Sequence, residues 1–189
     1  MMARSIFAIE LCARLDPQLR AHVHGLLRNL PERMGPQAKF EAYRALAWAW
    51  RNNLHLVERG CWDFYDDHDR ATKDFTMWSQ GMTTEEGART SPSGRPDPYR
   101  PEPRYMTFTA ALLLQRGSYT ERTLATRCAV PQPSLWMRST FGAMIDNLAQ
   151  INFGNVEADV VYLIPGDDSW GLTVEDLAHQ KFHYLRTVT

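Results

Sequence analysis

The chain has 189 residues, of which 44% are hydrophobic and 23% charged, and 21 basic residues nearly balance 22 acidic ones. These proportions are typical of a globular protein and exclude a disordered chain or a strongly basic nucleic-acid binder. Cys12, Cys61 and Cys128 form no Cys-x-x-Cys pair, which predicts reduced thiols in a cytoplasmic protein rather than a disulfide framework or a zinc site. No stretch approaches the roughly 20 apolar residues of a membrane helix, so no membrane insertion is expected.

The first predicted elements are a strand and a helix. Residues 5–11 form an apolar run that fits either a strand or the start of a helix. Asp16 followed by Pro17 decides between them, because aspartate caps a helix and proline is tolerated at its first position. Apolar residues then recur at helical spacing, so the sequence predicts a strand at 5–11 and an amphipathic helix at 17–30.

Two more helices are predicted in the first half of the chain. A stripe of apolar residues at spacings of three and four predicts a helix from about residue 36 to 59. An aromatic and acidic segment follows, in which Asp66 or Asp67 is expected to cap a third helix. Region 1–90 is therefore expected to be mainly helical and rich in aromatic residues.

A proline-rich connector occupies residues 91–103. Five prolines in thirteen residues remove backbone donors and fix φ, which excludes a helix and a central strand. The pieces on either side are each too small for a generous core of their own. The connector is therefore expected to be a long surface excursion within one cooperative domain that spans residues 1–189.

The spacing of apolar residues changes in the C-terminal region, residues 104–189. Residues 105–114 are apolar on both faces and predict a buried strand, helices follow, and 156–164 is a second strand. This order predicts a βαβ unit with parallel strands and a right-handed crossover. With the N-terminal strand added, the expected fold is α/β, with α+β as the alternative class. It is a small three-stranded sheet covered by several helices, beside the N-terminal helical aromatic region.

The end of the chain carries a recognisable order of elements. The strand at 156–164 is followed by Pro165, an acidic turn with Asp167 and Asp168, and a capping box that begins at Thr173. This order resembles an uncharacterised family found in cyanobacteria, plastids and other bacteria, whose members end in a similar strand, proline, acidic loop and capped helix. The resemblance implies a fold and assigns no activity.

An acidic segment is the strongest chemical candidate. Carboxylates with an imidazole can hold Mg²⁺, Mn²⁺ or Zn²⁺ and support hydrolysis. Consecutive residues fan outward, however, and acidic residues at a helix start are ordinary caps. Capping is therefore the favoured interpretation, and a metal site is the alternative, with Asp167 and Asp168 brought near by folding. The candidate ligands are Asp63, Asp66, Asp67, His68 and Asp69.

Aromatic residues form the second candidate site, because large aromatic side chains anchor protein interfaces. The candidates are Trp48, Trp62, Phe64, Tyr65, Trp78 and Tyr99. No catalytic or cofactor-binding motif is recognised. The sequence thus predicts a non-enzymatic protein-interaction or assembly protein with a protein partner, no nucleic acid and no cofactor, and it leaves self-association open. The alternative is a small metal-dependent hydrolase that uses residues 63–69.

Overall fold

Five strands form one antiparallel sheet. The computed structural model describes residues 3–30, 35–83, 99, 101–166 and 170–189. The strands are β1 (Arg4–Arg14), β2 (Val57–Tyr65), β3 (Tyr105–Gln115), β4 (Val156–Ile164) and β5 (Arg186–Thr187). They lie in the order β4-β3-β1-β2-β5, so strands from before and after the proline-rich connector share one sheet. Only Tyr99 and 101–103 of that connector belong to the described residues.

Helices cover both faces of the sheet. In the described part of the chain they are α1 (Pro17–Arg28), α2 (Pro36–Asn52), α3 (His68–Thr83), α4 (Tyr119–Arg127), α5 (Arg138–Leu148) and α6 (Val174–Ala178). Helices α1, α2, α4 and α5 pack on the first face, where β1 contributes Phe7, Ile9 and Leu11 to the main core. Helix α3 packs on the second face, where β1 contributes Ile6 and Ala8. None of these helices combines the length and the apolar character that a membrane span requires.

The predicted three-stranded α/β sheet with a parallel βαβ crossover is wrong. β3 and β4 are antiparallel neighbours, with Leu114 opposite Val156. The two helices α4 and α5 connect these strands. Together they return the chain to the end of the sheet at which β3 finishes, so β4 runs antiparallel to β3. A single crossover helix would have returned it to the end at which β3 begins and made the two strands parallel. The apolar runs that suggested parallel strands reflect burial on both faces, and the class is α+β.

The predicted helix from residue 36 to 59 is also too long. Helix α2 ends at Asn52, a single 3₁₀ turn follows at Leu54–Leu56, and the chain then enters β2. β2 pairs with β1 from Ile6 opposite Tyr65 onward, and this pairing outweighs the helical spacing of the preceding residues. The predicted N-terminal helical aromatic region thus contains two of the five strands.

Helix starts follow the predicted capping signals closely. The Asp16 side chain accepts a hydrogen bond from the Leu19 N–H at 2.7 Å, which confirms the start of α1. At the other end of the chain, Thr173 and Asp176 form the predicted capping box of α6, with bonds of 2.8 and 3.1 Å. Such caps satisfy amides that have no partner inside the helix.

The C-terminal segment, defined here as residues 172–188, covers the part of the second face that α3 leaves open. Leu172 and Tyr105 exchange backbone hydrogen bonds of 2.8 and 2.9 Å, and Arg186 in β5 pairs with Gly60 in β2. Between these two attachments the segment buries apolar side chains against the sheet. They are Leu172, Leu177, Phe182 and Leu185, which pack with Cys12, Tyr105 and Ile164.

Candidate functional site

The acidic segment does not converge on a metal site. The Asp63 carboxylate, on β2, accepts a hydrogen bond from the Phe64 N–H at 3.0 Å. Asp66 is exposed, 3.7 Å from an Arg116 guanidinium nitrogen. Asp67 accepts from the Arg70 N–H at 2.8 Å and so caps α3, while the other candidates lie in the first turn of that helix. Within the described ranges no three His, Cys, Asp or Glu side chains are grouped to hold a metal ion. Asp167 and Asp168 lie outside the described residues.

We expect the Asp67→Ala variant to lose about 1 kcal/mol of stability, because the first turn of α3 loses its cap. For a chain of this size that loss lowers the Tm by about 2–4 °C. Thermal unfolding followed by circular dichroism measures it, and Asp66→Ala is the control that changes stability by less than about 0.5 kcal/mol. A drop in Tm on chelation of divalent ions that Asp67→Ala abolishes would instead favour a metal site.

Four of the six aromatic candidates are partly buried and have structural contacts. The Trp62 indole N–H donates to the Leu135 carbonyl oxygen at 2.9 Å, and Phe64 packs against the main core. The other two lie on the second face: Arg70 stacks 3.4 Å above the Tyr65 ring, and the Trp78 ring meets that of Tyr184 at 5.9 Å between centroids.

The remaining two candidates are exposed. Trp48 is 65% exposed on α2, and Tyr99 is 91% exposed within the connector. Trp48 belongs to a continuous surface that other described residues build, whereas the chain neighbours of Tyr99 are not among the described residues. Trp48 is therefore the aromatic candidate that is both exposed and part of the lining of a surface depression.

Three adjoining depressions meet at Gln150, just beyond the end of α5. One of about 370 Å³ is lined by Trp48 and Arg51 of α2, and a second of about 350 Å³ is lined by Phe40 of the same helix. A shallower one of about 30 Å³ lies beside Tyr119 on α4. We call this region the Gln150 surface: Phe40, Trp48, Arg51, Tyr119, Arg127, Asp146 and Gln150.

The two arginines of the Gln150 surface differ in their hydrogen-bond and ion-pair partners. The Arg51 guanidinium lies 3.3 Å from the Asp146 carboxylate. Arg127 instead donates to two amide oxygens, Oδ1 of Asn147 at 3.3 Å and Oε1 of Gln150 at 2.8 Å. It is exposed, and no carboxylate among the described residues forms an ion pair with it. One positive charge therefore remains uncompensated beside the depressions.

A second unusual feature is a row of polar side chains across the middle of the second face. Glu10 on β1 lies opposite Cys61 on β2 and Thr109 on β3, and Thr109 lies opposite Tyr162 on β4. Since residues directly opposite on neighbouring strands point to the same face, these four side chains are neighbours beneath α3 and the C-terminal segment. We call them, together with Thr107 and Tyr184, the Glu10 cluster.

Glu10 is only 2% exposed in the central strand of the sheet. Burial raises the pKa of its carboxyl to about 7, and the hydroxyls of Tyr184, Thr109 and Thr107 and the charge of Lys181 act in the opposite direction. The Tyr184 hydroxyl donates to Glu10 Oε2 at 2.7 Å. The Thr107 and Thr109 hydroxyls are fully buried and have no hydrogen bond of standard geometry to any described residue. Glu10 can therefore hold a proton near neutral pH.

The thiols beside Glu10 are poor nucleophiles. Burial, with a smaller contribution from nearby carboxylates that include Glu10, raises the pKa of Cys12 and of Cys61 to about 12. Reactive cysteines need a lowered pKa and partial exposure, so neither thiol is poised for covalent catalysis. The Glu10 cluster thus offers proton binding without a nucleophile.

Fold and sites together define an α+β protein with a five-stranded antiparallel sheet, a group of adjoining surface depressions between helices, and a buried acid, Glu10, in the central strand. Comparisons with models of known protein families, with curated proteins and with solved structures found no match for this chain. The resemblance to the uncharacterised bacterial and plastid family therefore stays a prediction.

Sequence reasoning missed the residues that give both sites their character. Glu10 left a signal, since it is the one acid inside the apolar run at 5–11. Arg127 and Gln150 left none, because they become neighbours only when α4 and the end of α5 pack together. A charged residue within an otherwise apolar strand deserves a specific hypothesis whenever both faces of that strand are buried.

Proposed function

We propose that this chain is a non-enzymatic protein-interaction or assembly protein, and that it binds a short segment of a partner protein on the Gln150 surface. The observation that carries the proposal is the position of Trp48. Trp48 is 65% exposed and lines the largest of the three depressions. A tryptophan in this setting gains apolar burial when a partner side chain fills the neighbouring depression.

The spacing of the apolar groups suggests the length of the bound segment. Phe40 and Trp48 are separated by eight residues of α2, which corresponds to about 12 Å along the helix axis. An extended chain covers that distance in about four residues. Gln150 lies where the depressions meet, and its primary amide can both donate to and accept from a peptide backbone.

Charge complementarity defines the chemistry of the segment further. Among the described residues Arg127 has amide partners only, so a carboxylate of the partner would complete a charge-assisted pair at the rim of the surface. The expected ligand is therefore a short acidic segment that also carries an apolar or aromatic side chain for the Trp48 depression. Contacts of this kind weaken as salt concentration rises.

Selection of random short peptides displayed on phage, with the immobilised full-length chain as bait, tests this proposal. We expect enriched peptides that combine an acidic with an aromatic or aliphatic residue. In fluorescence anisotropy, Trp48→Ala should weaken their binding by about tenfold or more. Arg127→Glu should also weaken it, and replacing the acidic residue of the peptide by lysine should restore binding to this variant.

Two matched controls locate the binding. Arg122→Glu changes an exposed arginine of the same helix, and Trp170→Ala removes another exposed tryptophan; both are expected to bind selected peptides like the unmodified chain. Peptides that bind all variants equally, or that lose affinity only with Trp170→Ala, would refute the Gln150 surface as the docking site.

A further inference from the structure

The C-terminal segment is held on the sheet through a buried acid. Its two ends are attached by backbone pairing, Leu172 with Tyr105 and Arg186 with Gly60. Between them, the Tyr184 hydroxyl reaches the centre of the sheet and donates to Glu10 at 2.7 Å. Tyr184 therefore adds a polar contact to the mainly apolar packing of the C-terminal segment against the sheet.

The groups that interact with Glu10 lie on β1, β2, β3, β4 and the C-terminal segment. Among the described residues, the cation that acts on its pKa is Lys181 on the C-terminal segment. The tyrosine and cysteine side chains are neutral at physiological pH because burial raises their pKa values. Arg59 and Glu58 act on the pKa of Cys12, and Asp63 and Arg186 act on the pKa of Cys61. The titratable groups that face Glu10 are Cys12 (β1), Cys61 (β2), Tyr162 (β4), and Lys181 and Tyr184 (C-terminal segment).

We propose that Glu10 is a proton-binding site whose occupancy sets how firmly the C-terminal segment is seated on the second face of the sheet. A protonated Glu10 is neutral and suits the dry environment beneath the segment. An ionised Glu10 is shielded from bulk solvent there, and the Thr107 and Thr109 hydroxyls, which favour the ionised form, offset the effect of burial only in part. Lifting the segment admits water to the carboxylate, so loss of the proton favours the lifted state.

The sign and size of the effect follow from linkage. The pKa of Glu10 is about 7 when the segment is seated, above its ordinary value of 4.5, so the stabilisation of the seated state is complete below about pH 4.5 and is lost as the pH rises through 7. If lifting restores the ordinary value, the population of the lifted state rises about tenfold between pH 6 and pH 8.

Hydrogen exchange measured by mass spectrometry on the full-length chain tests the proposal, with rates divided by the intrinsic rate at each pH. Amides of residues 172–188 are expected to lose about tenfold in protection from pH 6 to pH 8, and to be less protected than those of β1 throughout. Glu10→Gln, which keeps the shape without the charge, should remove the pH dependence. Glu41→Gln, at an exposed position on α2, should leave it unchanged.

Two hydrogen-exchange results would overturn the proposal. One is protection of the segment equal to that of β1 at every pH, since the segment would then open only with the whole protein. The other is a pH dependence that persists in Glu10→Gln. A titration of the Glu10 side-chain carbon by NMR adds a direct reading, with a midpoint near 7 expected, and a midpoint below 5 would equally contradict it.

Discussion

Replacement of Gly60 by alanine is expected to lower the free energy of unfolding by about 3 kcal/mol. A Cβ at this position of β2 would lie 2.5 Å from Cε1 of Phe141 on α5 and 2.9 Å from the Glu10 carbonyl oxygen on β1. The ring is fully buried and the carbonyl belongs to the central strand, so neither can move without disturbing the core. Urea denaturation followed by circular dichroism measures the loss.

Gly25→Ala is the matched control for this substitution. Gly25 lies inside α1, and a Cβ there meets nothing within 4 Å. Alanine is the better helix former, so this variant should be more stable by about 0.5–1 kcal/mol. Equal effects at the two positions would contradict the close contact between β2 and α5.

The second large effect concerns Glu10 and the stability of the whole protein. In the unfolded chain its pKa returns to 4.5, so the raised value of about 7 makes the ionised group costly in the folded state. Above pH 7 this cost approaches about 3 kcal/mol, and below about pH 4.5 it vanishes. Glu10→Gln is therefore expected to be more stable than the unmodified chain at pH 8 and to lose this advantage as the pH falls to 5.

Urea denaturation of both proteins at pH 5 and pH 8 checks this expectation, because groups other than Glu10 contribute equally to the two curves. Glu157→Gln is the control, because the Glu157 carboxylate forms an ion pair with Arg4 at 2.6 Å on the surface. The difference in stability between this variant and the unmodified chain should be small at both pH values. A difference between Glu10→Gln and the unmodified chain that is the same at both pH values would contradict a buried proton.

Local signals in the sequence predicted the starts of several helices and the positions of three strands, β1, β3 and β4. Asp16, Asp67 and Thr173 each accept a hydrogen bond from a backbone N–H three residues on, and such caps depend on neighbouring residues alone. The strand at Val57–Tyr65 could not be predicted in this way, because it is specified by pairing with β1. The direction of β4 relative to β3 could not be predicted locally either, because it depends on how α4 and α5 pack together as a pair.

The candidate sites show the same division between local and non-local information. The cap at Asp67 was one of the two alternatives that the sequence predicted, and His68 and Asp69 follow it in the first turn of α3. The exposure of the aromatic residues could not be predicted from the sequence, because burial of Trp62 and Trp78 depends on residues more than 70 positions away, such as Leu135 and Tyr184. Of the six predicted anchors, only Trp48 lies on a surface formed by several helices.

Site-specific photo-crosslinking in the native cell tests the proposed docking surface most directly. A benzoylphenylalanine placed at Asn52, which lines the Trp48 depression, is expected to form a discrete adduct with one partner protein. The adduct should disappear when Trp48→Ala or Arg127→Glu is added, and the same probe at exposed Asp67 should form none. An adduct at position 67 but not at 52, or one at 52 that survives both substitutions, would contradict the assignment of function to the Gln150 surface.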